Sequence, residues 1–68
     1  MENRGYSLLH FIKKVTFIVE LKGFKVVDID LWDNILTFKL NNGKNVIFAY
    51  RFVKSEQEII DKVMEVIK

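Results

Sequence analysis

The stretch "NNGKNVIFAYRFV", Asn41–Val53, decides how this chain folds, because the turn at its start sets the side on which every later residue falls. Read as a strand, it carries Val46, Phe48, Tyr50 and Phe52 on one side and Ile47, Ala49, Arg51 and Val53 on the other. A strand with one dry face alternates apolar with polar residues. This one is apolar on both. Two turns fit its beginning. An Asn42–Gly43 turn pairs Lys39 with Val46 and sends the Phe48, Tyr50 and Phe52 side outward. A type I turn over Asn41–Asn42, with Gly43 as the bulge residue, pairs Phe38 with Val46 and Leu36 with Phe48. The two registers differ by a single residue, which is enough to exchange the faces.

The preceding hairpin chooses between them. "FKVVDIDL" and "ILTFKL" flank Asp33–Asn34, residue types that tolerate the positive φ of a tight turn. Closed there, the hairpin sets Leu31 against Leu36, Ile29 against Phe38 and Val27 against Leu40, an apolar face. The reverse face sets Trp32 against Ile35, Asp30 against Thr37 and Asp28 against Lys39, the last an opposite-charge pair. The bulged register joins the aromatic side of the third strand to this apolar face, and it is the one expected.

The ends of the chain read as helices. "SEQEIIDKVMEVIK" opens with Ser55 and Glu58 in capping-box spacing, and Ile59, Ile60, Val63, Val66 and Ile67 follow in a stripe. Near the other end, Leu8, Phe11, Ile12, Val15, Ile18 and Val19 share one helical face. "LKGF" supplies a stop, with Gly23 in the left-handed position and Phe24 packing back on Val19. "VTFIV", Val15–Val19, is β-branched and would suit a strand. The glycine stop and the apolar stripe together favour the helix.

The chain is thus expected to be one α+β domain over residues 1–68: a flexible N-terminus (1–6), a helix (about 7–22), strands (about 24–32, 35–41 and 45–53) and a helix (about 56–67). The order is α-β-β-β-α, with an antiparallel meander and both helices on one face. The expected core takes Leu8, Phe11, Ile12, Val15 and Val19 from the first helix. The strands give Val27, Ile29, Leu31, Leu36, Phe38, Leu40, Val46, Phe48 and Tyr50, and the last helix Ile59, Ile60, Val63 and Ile67.

Two helices that cover one face leave the other open. That face is expected to hold Phe24, Val26, Trp32, Ile35, Lys39, Ile47, Ala49 and Arg51, with Val53, Asp28 and Asp30 interleaved. A contiguous exposed apolar patch of this kind marks an interaction site. Its cover is expected from another molecule, either a second copy in a symmetric dimer or a larger protein that the chain binds or inhibits. The element order also resembles, in a generic way, that of many small phage-encoded inhibitors of host proteins.

Composition supports a small domain and little chemistry. The 68 residues are 50% hydrophobic and include no Cys, which removes disulfides as a support. With one His and no Cys, a structural zinc is not expected. Asp28, Asp30 and Asp33 lack the further ligands and closing Glu of a calcium loop, so they are read as edge and turn charges. His10 finds no nucleophile beside it in the sequence, since Ser7 and Ser55 both read as helix starts. No catalytic residue, cofactor or metal is expected, and the chain is read as non-enzymatic.

Eleven Lys and Arg against nine Asp and Glu give a net charge of +2, which permits nucleic-acid binding and does not indicate it. The alternative function is a nucleic-acid platform in which bases stack on Trp32 beside Lys39 and Arg51. The element order resembles that of double-stranded-RNA-binding domains. Here, however, the second helix begins with the acidic "SEQE" and the first loop is only Asp33–Asn34, so the contact regions of that family are missing. No signal peptide is evident, and no apolar run approaches the roughly 18 residues of a membrane span. The chain is expected to be soluble and cytoplasmic.

Overall fold

The computed structural model describes residues 7–67. The expected flexible segment 1–6 and the terminal Lys68 lie outside them. The order is α1 (Leu8–Leu21), β1 (Val26–Trp32), β2 (Ile35–Leu40), β3 (Asn45–Phe48), a 3-10 turn (Tyr50–Phe52) and α2 (Glu56–Ile67). One open antiparallel sheet runs β1-β2-β3, and the α+β class follows directly.

Local chemistry explains each boundary. The Ser7 hydroxyl accepts from the His10 backbone N–H at 3.2 Å and caps α1. At the other end Gly23 has φ 89°, its N–H donates to the Glu20 carbonyl at 3.0 Å, and the Phe24 N–H donates to the Val19 carbonyl at 3.2 Å. Those two bonds are the Schellman pair that "LKGF" foreshadows. The segment Val15–Val19 is therefore helix, with Val15, Ile18 and Val19 buried. In α2 the Glu58 N–H donates to the Ser55 hydroxyl at 3.3 Å. The Glu58 carboxylate in turn accepts from the Lys54 N–H at 3.2 Å, one residue before the usual partner in a capping box.

Both turns take the expected form. Asp33 and Asn34 have φ 55° and 66°, the signature of a type I′ turn. The second hairpin uses the bulged register: Gly43 has φ 87°, the Leu40 N–H donates to the Lys44 carbonyl at 2.9 Å, and Phe38 and Leu36 stand opposite Val46 and Phe48. Leu36, Phe38, Leu40, Val46 and Phe48 therefore share one face, and all five are buried beneath the helices. Phe11 of α1 meets the Phe48 ring edge-on at 5.0 Å, while Phe38 meets Phe48 edge-on at 5.9 Å. Edge-to-face rings at such distances add to simple burial. Ile59 and Val63 of α2 close this core.

Three expectations need correction. First, β1 contains a bulge. Trp32, Leu31, Asp30, Ile29 and Asp28 pair as expected, but Leu40 stands opposite Val26, and Val27 is the extra residue. An inserted residue changes the facing of everything before it. Val26 thus replaces Val27 on the core side, Phe24 also packs against the core, and Val27 is exposed. The strand begins at Val26 and not at about 24.

Second, β3 stops at Phe48 and not at about 53. The register explains the stop: Leu36 faces Phe48, so anything beyond Ala49 would face the Asp33–Asn34 turn and find no ladder partner. The chain instead makes a tight turn, with the Phe52 N–H on the Ala49 carbonyl at 2.9 Å. Alternation ends there, which exposes Phe52 and buries Val53.

Third, Ile29 and Leu31, expected in the core, keep 38% and 46% of their surface. They point to the helix side, beside the fully buried Phe38 and Leu36, but β1 is an edge strand. Among the described residues no fourth strand flanks it, so its side chains are covered from one side only.

Candidate interaction surface

The side of the sheet opposite the helices is built in rows by the cross-strand register. Trp32 lies beside Ile35, then Asp30 beside Thr37 and Ile47, then Asp28 beside Lys39 and Asn45. Trp32 is 74% exposed, Ile47 51% and Ile35 37%. The type I′ turn fixes the first row, because it holds Trp32 and Ile35 as the pair flanking the loop. One end of the face is thus apolar and aromatic. The other is polar and carries both signs of charge, with two carboxylates along β1 and the Lys39 ammonium on β2.

Of the residues assigned to this face from sequence, Trp32, Ile35, Lys39 and Ile47 lie on it together. Ala49 is exposed just past the end of β3. Arg51 is exposed within the 3-10 turn, off the sheet. Phe24 and Val26 are half-buried against the core, moved across by the bulge at Val27. Val53, expected as part of the same face, is buried.

Two smaller features escape a reading of the strands alone. The turn after β3 and the flank of α2 enclose an open groove of about 450 Å³, with Ile47, Ala49 and Phe52 below and Glu58, Asp61 and Glu65 above. On α1, His10, Lys13, Lys14 and Phe17 line a shallow hollow of about 220 Å³. Lys14 also reaches Glu56 of α2 at 3.7 Å. The exposure of Phe52 was readable in principle, since the register leaves no partner beyond Ala49. The hollow follows from the helical spacing of its residues.

Chemistry-bearing side chains do not converge. His10 is on the exposed side of α1, Asp28 and Asp30 on the open face and Asp33 in the turn. Among the described residues no group of three or more His, Asp or Glu is placed to hold a metal ion. No helix among them is long and apolar enough to cross a membrane.

No protein-family model matches the sequence. No curated protein is significantly similar to it. No solved structure matches it at a significant level. What is established is the fold class: α-β-β-β-α, of the α+β class, with helices on one side of the sheet and an open face that is apolar at one end and polar at the other.

Proposed function

We propose that this chain is a non-enzymatic protein-interaction module that uses the open face of its sheet, with a second copy of itself as the occupant. The observation that carries this reading is the row Trp32–Ile35 with Ile47 beside it, left uncovered by the chain's own helices. Apolar surface removed from water contributes roughly 25 cal/mol per Å². Trp is also the residue type most often found at the energetic centre of a binding surface. A two-fold dimer needs a surface that suits itself. This face has an apolar end and a polar end with both charge signs, so neither end must meet a copy by repulsion alone.

A larger protein with a comparable apolar surface is the other occupant, and inhibition or tethering of that protein is the corresponding role. Solution mass separates the two. Sedimentation equilibrium should give about twice 8.1 kDa for the wild type, and a folded monomer for Trp32→Glu and for Ile47→Glu. A wild type that stays monomeric at high concentration overturns the dimer. The nucleic-acid reading has less support, because Arg51 leaves the sheet while Asp28 and Asp30 occupy the face beside Trp32 and repel phosphates.

A further inference from the structure

The outer edge of β1 is a surface distinct from the open face. The hydrogen-bond parity of the sheet shows which groups it offers. The Leu40 N–H is bonded to Lys44 in the second hairpin, so Leu40, Phe38 and Leu36 direct their backbone groups toward β3. The intervening Lys39, Thr37 and Ile35 therefore face β1, where they meet Asp28, Asp30 and Trp32. Ile29 and Leu31 are left with their N–H and C=O groups pointing away from the sheet. Consistent with this, the Ile29 N–H is taken up locally, donating to the Asp28 carboxylate at 3.0 Å.

This edge runs over seven residues, against four in β3, and six of the seven are exposed. A long open edge whose amides have no partner strand is a template for strand addition. A second copy is a poor strand for it. The longest antiparallel self-pairings set Asp28 opposite Asp30 of the other copy, or Asp30 opposite its own equivalent. Like charges directly opposite are destabilising. Asp28, Asp30 and Trp32 would also occupy the non-hydrogen-bonded positions of the new ladder, where side chains approach most closely. Among the described residues no ion pair engages either carboxylate.

We propose that the β1 edge accepts an extended segment of a foreign protein with basic residues at alternate positions and apolar residues between them. Lys or Arg of that segment pairs with Asp28 and Asp30 on the open side. Its apolar residues cover Ile29 and Leu31 on the helix side, the two positions that the chain's own core leaves half-covered. The two carboxylates thus do opposite things to two strands: they repel a second copy and attract a basic one. The Asp28 cap on Ile29 gives way to a ladder bond when the segment docks. This inference does not depend on the dimer proposed for the open face.

The test uses the full chain and a blocked synthetic peptide of alternating Lys and Val, followed by amide hydrogen exchange. Peptide binding should slow exchange at Ile29 and Leu31. Asp28→Asn with Asp30→Asn keeps an oxygen to cap Ile29 but removes the charges, and it should weaken binding about tenfold. A peptide with Glu in place of Lys, or one N-methylated at the residues that face the edge, should not bind. Ile47→Glu, two strands away on the open face, should leave peptide binding intact even where it abolishes the dimer. Absence of binding overturns the proposal. So does binding that survives N-methylation, leaves the Ile29 and Leu31 amides unprotected, or is lost in Ile47→Glu.

Discussion

Trp32 stands directly opposite Ile35 across the Asp33–Asn34 turn, and the pair lies on the side of the sheet that neither helix covers. The turn type decides this. Positive φ at both central residues makes a two-residue loop, and that loop fixes which residues flank it. From that pair onward the register assigns every residue of β1 to a face until the bulge at Val27 reverses the assignment.

Trp32 is the only tryptophan, so its fluorescence reports on the open face alone. As protein concentration rises, its emission should shift to the blue and its quenching by acrylamide should fall. Ile47→Glu should show neither change. A wild-type spectrum independent of concentration would count against burial of this face in a dimer.

The core and the edge strand should respond differently to truncation. Phe38→Ala removes a fully buried ring that touches Phe11 and Phe48, and should cost about 3–5 kcal/mol. For a core of this size that is most of the stability available. Ile29→Ala removes a half-covered side chain and should cost about 1–2 kcal/mol. Urea denaturation followed by circular dichroism compares the two, and equal losses would show that Ile29 is part of the working core.

Gly23 has φ 89° and nothing within 4 Å of where a Cβ would stand. The cost of Gly23→Ala is therefore one of backbone conformation, about 1–2 kcal/mol, with no steric part. Gly23→Asn should cost less, because Asn enters the left-handed region more readily. The midpoints of urea unfolding should fall in the order Gly, Asn, Ala.

Deletion of Val27 should be tolerated. The residue is the extra one of the bulge, its side chain is exposed, and Val26 already stands opposite Leu40. Without it, Val26 would follow Asp28 in a regular ladder and still point to the core. Stability should change by no more than about 0.5 kcal/mol, the range of ordinary surface changes. Loss of folding would mean that the bulge is required to bring α1 over the sheet.

The legible parts of this fold were those where two local signals agreed. Gly23 and the α1 stripe together fixed the helix end, and Gly43 with the apolar pairing of the first hairpin fixed the register of β3. The bulge was not legible, because "FKVVDIDL" offers Val26 and Val27 side by side and either one satisfies the core position opposite Leu40. Apolar pattern alone does not distinguish them. The early end of β3 is implicit in the register: once Leu36 faces Phe48, Tyr50 faces a turn. Hydropathy drew the strand onward through Val53, while the ladder arithmetic had already ended it. Phe24, Val26 and Arg51 left the candidate face for these two reasons. Trp32, Ile35, Lys39 and Ile47 stayed on it because they lie within the regular part of the ladder.

The most direct measurement is sedimentation equilibrium of the wild type, Trp32→Glu and Ile47→Glu over a wide concentration range, with circular dichroism to show that each is folded. The expected result is a wild-type dimer and two folded monomers, which ties self-association to the open face. A wild type that remains monomeric at every concentration, or variants that dimerise as well as it does, would contradict the assignment of this face to a second copy.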